Sequence, residues 1–177
     1  VIARSFLFAY GSLVRDAVVC HLGGHRRRWD VAMDNTRDLP GYKYYRDRDT
    51  GQRPPVYVTF LNLRPDEGST VNGVAYPVEA EIFPLLDARE RNYERCDVTD
   101  LVDVDLGGPV WAYVGTAEGR ARYEAGRRDG TAVVSDEYYE GVRDGFARLG
   151  VLEEFERTTD ALLVPRRALE RIDLPDG

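Results

Sequence analysis

The chain has 177 residues, of which 43 % are hydrophobic and 31 % charged, and a formal net charge of −7. That length lets one domain bury on the order of 70 % of the surface its unfolded form exposes, and the balance excludes wholesale disorder. The acidic total, interrupted only by the short basic run "HRRRW" at 25–29, argues against nucleic acid as a partner, and no apolar run approaches the roughly 20 residues that span a bilayer.

In chain order, "SFLFAY" (5–10) is rich in aromatic β-formers and stops at Gly11, a strand followed by a tight turn. The N-terminal "VIARSFLFAY" has neither the charged region nor the cleavage site of a signal peptide, so a cytoplasmic location is expected. "RRWDVAMD" (27–34) reads as a second strand, with "HRRRW" as its solvated start. Residues 34–55 mix proline, glycine and charge with three tyrosines, keep no strand or helix period, and read as a long functional loop, a lid or pocket wall. "VYVTFLNL" (56–63) and "TVNGVAYPV" (70–78), separated by "RPDEGS", predict a hairpin, with Pro77 at an edge or bulge.

The period then changes. "EAEIFPLLDARE" (79–90) predicts a short amphipathic helix with Ile82, Leu85 and Leu86 on its apolar face and Pro84 in its first turn. "CDVTDLVDVDL" (96–106) and "VWAYVG" (110–115) predict an antiparallel pair, and residues 116–134 a second flexible stretch. Ser135 is placed to cap a helix with Tyr139, Val142, Phe146 and Leu149 on one face. One more helix follows in "VLEEFERTTDAL". The sum is a single α+β domain over 1–177, its core at about 5–160 with a short C-terminal extension. It holds a mixed, largely antiparallel sheet of about six strands, strongly curved or closed into a small barrel, with flanking helices.

Few residues offer chemistry. His21 and His25 are separated by two glycines and lack a third ligand nearby, so they read as loop or surface histidines and no metal is expected. Cys20 and Cys96 have no metal-ligand spacing and read as free thiols. "YGSL" contains a serine but has no nucleophile elbow and no evident base. Its glycine turn can instead leave the amides of Gly11, Ser12 and Leu13 free to hold a carboxylate or an oxyanion. Glu90 stands at a helix-to-strand junction, where partial burial raises a carboxyl pKa toward the range of a general base.

These two features fall within a longer ordered set. "FAYGSL" at 8–13, "LLDARERNYERCDV" at 85–98, "WAYVG" at 111–115 and "SDEYYEGVRDG" at 135–145 together resemble the γ-glutamylcyclotransferase superfamily. The resemblance covers about residues 5–150. It implies that Glu90 is the catalytic glutamate, that Tyr10, Gly11, Ser12 and Leu13 form the substrate-binding loop, that Asp87 is structural, and that Tyr113 and Tyr138 line the pocket. Arg91 departs from the glycine that many members have after the glutamate, which leaves the branch of the family open.

The implied reaction is attack of a substrate α-amine on its own γ-glutamyl carbonyl, releasing 5-oxoproline and a free amine. The tethered nucleophile calls for no cofactor, and the implied partner is a small γ-glutamyl molecule. Two alternatives within the family are removal of a γ-glutamyl protecting group from a secondary-metabolite intermediate and cleavage of glutathione. A noncatalytic small-molecule binding module is a reading of another class, against which Glu90 weighs because a carboxylate repels an acidic ligand.

Overall fold

A computed structural model describes residues 4–175. The chain runs β1 (Ser5–Ala9), β2 (Val18–Asp34), β3 (Lys43–Asp47), β4 (Tyr57–Val78), a 3-10 turn, α1 (Phe83–Arg89), β5 (Tyr93–Asp97), a second 3-10 turn (Thr99–Leu101), β6 (Val110–Gly115) and α2 (Ala117–Asp129). It continues through β7 (Ala132–Ser135), α3 (Asp136–Arg148), α4 (Leu152–Arg157), β8 (Arg166–Arg167) and β9 (Leu169–Asp173). The fold is mixed α+β. A seven-stranded sheet has the order β5-β6-β1-β4-β7-β8 with β2 also paired to β4, and β3 and β9 form a separate antiparallel pair. Among the described residues no helix is long and apolar enough to cross a membrane.

β1 lies between antiparallel β4 and parallel β6. Leu7, Phe8 and Ala9 are all buried, which is why this strand reads as an unbroken apolar run rather than an alternation. The expected hairpin at 56–78 is instead one strand, β4, antiparallel to β2 along its length. Its turn residues make a bulge: 66–69 face only Gly24, since Pro65 pairs with His25 and Thr70 with Gly23. Ser69 Oγ donates to Asp66 at 2.6 Å, and Gly68 takes a φ of +81°. The local chemistry is that of a turn, but the long partner strand keeps the chain running forward.

The loop expected at 34–55 contains β3, which pairs with β9 from the far end of the chain. Asn35 is fully buried and acts as a surrogate strand partner: its Nδ2 donates to the carbonyls of Tyr45 and Pro54, both at 2.9 Å, and its Oδ1 accepts from the Tyr45 amide at 2.7 Å. Tyr42 and Tyr45 belong to an apolar cluster with Phe60, Val133 and Leu169.

The flexible stretch expected at 116–134 is α2, started by the Thr116 side chain and ended by Gly130 at φ +71°. Its packed face is small: a Cβ at Gly126 would lie 2.9 Å from Ala132 and 3.0 Å from Tyr57. With Gly119, Tyr123 and Gly126 as its buried residues, the helix has one aromatic and little apolar stripe to read.

Four further expectations shift. The strand expected at 96–106 ends at Asp97, having begun at Tyr93, while the pairing with β6 holds. On α1 the buried residue is Phe83, whereas Ile82 and Leu85 are exposed. "HRRRW" is the interior of β2 rather than a solvated start, and Arg27 is fully buried. His21 and His25 lie on the same strand, not in a loop. The Ser135 cap is present, its side chain accepting from the Tyr138 amide.

Candidate active site

One cavity of about 350 Å³, mouth included, opens where β1 ends. Phe8, Ala9, Tyr10, Gly11, Ser12, Leu13, Leu61, Glu90, Tyr93, Tyr113 and Tyr138 line it. All seven residues expected to form a site meet here, although they come from the turn after β1, the end of α1, β6 and the start of α3.

The turn after β1 is closed by the Val14 amide donating to the Gly11 carbonyl at 3.1 Å. Among the described residues no protein group accepts from the amides of Gly11, Ser12 or Leu13. Gly11 is not at a positive φ, and a Cβ there would make ordinary contacts with Leu61 at 3.5 Å and the Tyr138 hydroxyl at 3.6 Å. The backbone conformation therefore does not require glycine. Its effect is to keep a methyl out of the cavity between those two groups.

Beneath the turn lies Arg27. Its Nε donates to the Tyr10 carbonyl at 2.8 Å, and its other nitrogens donate to the Asn72 backbone and side chain, Thr158, Thr159 and the Phe155 carbonyl. Burial pulls its pKa down to about 9, which still leaves it charged at neutral pH. The cation is held by neutral oxygens and lies over the rings of Phe146 and Phe155.

Glu90 is the residue at which α1 stops. Its amide donates to the Leu86 carbonyl at 2.8 Å, and its carbonyl accepts from the Tyr93 amide at 2.9 Å, so its backbone is pinned from both sides. Asn92 anchors the following turn: its carbonyl accepts from the Thr116 amide, its Nδ2 donates to the Tyr42 hydroxyl at 2.9 Å, and its Oδ1 accepts from Arg122 at 2.7 Å. Burial lifts the Glu90 carboxyl above its ordinary value, an effect that the charges of Lys43, Arg89 and Arg171 oppose. Arg91, the departure noted in the sequence, donates to the Pro40 carbonyl at 2.7 Å and so ties this junction to the segment before β3.

Burial raises all four phenols of the cavity. Three are engaged with the scaffold: Tyr10 donates to the Tyr113 carbonyl at 2.6 Å, Tyr93 to the Leu61 carbonyl at 2.6 Å, and Tyr113 to Asp87 at 2.7 Å. They offer ring surface to the cavity. The Tyr138 hydroxyl accepts from the Leu61 amide at 3.3 Å and faces Ser12. No histidine lines the cavity: His21 sits between Asp103 at 2.8 Å and Glu154 at 3.0 Å, and His25 contacts the Gly23 carbonyl. The arrangement offers one carboxyl group of raised pKa opposite unpartnered backbone amides, inside an aromatic wall. A sequence model of the family described as gamma-glutamyl cyclotransferase, AIG2-like, matches residues 7–140.

The chain belongs to this family. Membership implies a small-molecule γ-glutamyl substrate, and the family consists mostly of enzymes. Solved structures that share the fold include the following three. One is a gamma-glutamyl cyclotransferase, 15 % identical over 90 % of this chain and 91 % of that one, with a TM-score of 0.54. Another is the uncharacterized protein loc79017 from Homo sapiens, 19 % identical over 88 % and 86 %, TM-score 0.56. The third is a yeast γ-glutamyl cyclotransferase specific to glutathione, 13 % identical over 89 % and 97 %, TM-score 0.51. No curated protein matches the chain in sequence.

The sequence assigned no role to Lys43, Arg27 or Asn92. Lys43 and Asn92 act through strand and turn contacts between distant segments, which no local motif encodes. Arg27 had a signal, its place two residues before Trp29 in an alternating strand, but a run of three arginines reads as a solvated face.

Proposed function

We propose that the protein is a γ-glutamyl cyclotransferase that closes the glutamyl moiety into 5-oxoproline and releases an amine, with Glu90 as general acid and base. The observation that carries this reading is the half-buried Glu90 carboxyl, its pKa raised by desolvation, sharing one cavity with the free amides of the YGSL turn. The substrate's α-nitrogen has a pKa of about 8 as a free ammonium and must lose a proton before it attacks. Glu90 takes that proton. As the new C–N bond closes the five-membered ring, the γ-carbonyl oxygen gains charge, which amides of the turn can stabilise. The bond to the leaving nitrogen then breaks, and Glu90 returns the proton to it.

Covalent tethering of nucleophile to electrophile supplies the proximity that a bimolecular reaction lacks. The protein's tasks reduce to folding the substrate into a ring-closing shape, for which the aromatic walls are suited, and to moving one proton. Incubation with a panel of γ-glutamyl amides and detection of 5-oxoproline tests the reading. Absence of 5-oxoproline across dipeptides, γ-glutamyl amines and glutathione would contradict it.

A further inference from the structure

A second cavity, about 670 Å³ with its mouth, adjoins the first and shares Ser12 and Tyr138 with it. Lys43, Tyr45, Ser135, Glu137, Gly141, Val142 and Arg171 complete its lining. We propose that this cavity is a specificity subsite for a carboxylate carried by the leaving amine, with Lys43 and Arg171 as its anion-binding groups. This inference rests on the cyclotransferase reading for the position of the glutamyl end: a γ-glutamyl group beside Glu90 directs its amide substituent past Ser12 and Tyr138 into this space.

The two cations come from β3 and β9. In that antiparallel register Lys43 faces Asp173 and Tyr45 faces Arg171, so Lys43 and Arg171 are diagonal neighbours on one face, a spacing of about 7–8 Å that long side chains can bridge. Among the described residues no carboxylate lies within ion-pair distance of the Lys43 ammonium, which instead sits 4.5 Å from the Phe60 ring centroid and 5.3 Å from that of Tyr42. Arg171 directs Nε and Nη2 to one oxygen of Asp173, both at 2.7 Å, which leaves three of its five N–H donors. The one acidic residue of the lining, Glu137, accepts from Arg48 at 2.9 Å.

The charges facing Lys43 are those of Arg171, Glu90, Asp173 and Arg89, and its own burial pulls its pKa down to about 8, so it remains a cation at neutral pH. Two like charges on one face of a two-stranded ladder repel each other, and Asp173, directly across from Lys43 on that face, is taken up by Arg171 and leaves the Lys43 ammonium without an ion-pair partner among the described residues. A carboxylate between them relieves that repulsion and satisfies a desolvated ammonium. A leaving amine bearing a second positive charge would add to the repulsion. The inferred substrate class is thus a γ-glutamyl amino acid or peptide whose free carboxylate lies close to the scissile amide, rather than a γ-glutamyl polyamine or alkylamine.

The test compares γ-glutamylalanine with γ-glutamylalaninamide, which differ in that one charge. The expected ratio of kcat/KM, carboxylate over amide, is about 10- to 100-fold, the range of one or two hydrogen bonds to a charged group. Lys43→Met and Arg171→Gln should each bring the ratio toward 1, and Lys43→Arg should retain most of it. Calorimetric binding of the same two ligands to Glu90→Gln provides a readout that needs no turnover. If neither ligand yields 5-oxoproline with wild type but binding still depends on the carboxylate, the cyclotransferase reading fails and the subsite stands. A ratio near 1 in both turnover and binding, or a ratio that survives both charge-removing substitutions, overturns the subsite.

Discussion

Replacing Gly11 with alanine separates the two roles a glycine can have at the end of β1. The added methyl would lie 3.5 Å from Leu61 Cδ1, 3.7 Å from Leu61 Cβ and 3.6 Å from the Tyr138 hydroxyl, all ordinary contacts. The backbone at this position is outside the left-handed region, so the substitution introduces no strain. Loss of chain entropy in the unfolded state should then stabilise the fold by about 0.4–1 kcal/mol, a rise of roughly 1–4 °C in Tm for a domain of this size.

The same methyl points into the space between Leu61 and Tyr138, two walls of the Glu90 cavity. A substrate displaced by about 1 Å from its reactive geometry loses on the order of 10²-fold in rate. The expected variant is therefore at least as stable as wild type and about 10²-fold slower in 5-oxoproline release. Differential scanning fluorimetry and steady-state kinetics on one preparation read both quantities. Full activity would show that substrate does not approach the turn, and a marked drop in Tm would show that the glycine is structural.

Other outcomes follow from the same geometry. Because burial raises Glu90, the folded state favours its protonated form, and its charge destabilises the protein at neutral pH by an amount that fades as pH falls through the raised value. Glu90→Gln should accordingly melt higher than wild type at pH 7, with the gap shrinking toward pH 4.5; an equal or lower Tm at pH 7 would contradict a desolvated charge. At His21, burial acts to lower the imidazole's pKa, but Asp103 and Glu154 prevail and raise it. Its contribution is complete below the unfolded value of about 6.5 and is lost as pH rises through the higher folded value. Wild type should lose more Tm than His21→Gln across that window. Asn35→Ala orphans two carbonyls and an amide, an expected loss of about 3 kcal/mol at roughly 1 kcal/mol each, measurable by urea unfolding; a loss below about 1 kcal/mol would mean that β3 is held by other contacts.

The β1 turn, α1 with Glu90 at its end and the Ser135 cap were legible because each depends on neighbours within a few residues, whereas the β5–β6 pairing was read with its first strand displaced toward the C-terminus. What escaped reading depends on distant partners. β3 is a strand because β9, more than 120 residues away, pairs with it, and its own "GYKYYRDRD" surroundings read as a loop. The Asp66–Ser69 turn residues looked like a chain reversal until β2, running past them, made them a bulge. α2 hid because its docking face is Gly119, Tyr123 and Gly126, a single aromatic between two glycines rather than a stripe of leucines. The Glu90 side of the site was thus visible in local motifs, whereas the Lys43–Arg171 side required the β3–β9 pair.

The central claim is that Glu90 moves the proton in a ring-closing reaction. It is tested most directly by the rate of 5-oxoproline release from a γ-glutamyl amino acid by wild type and by Glu90→Gln, with circular dichroism confirming that both are folded. The account predicts equimolar 5-oxoproline and free amine from wild type, and a rate lower by about 10²- to 10⁴-fold in the variant, the usual range for loss of a general acid–base group. A folded Gln variant that releases 5-oxoproline at the wild-type rate would contradict it.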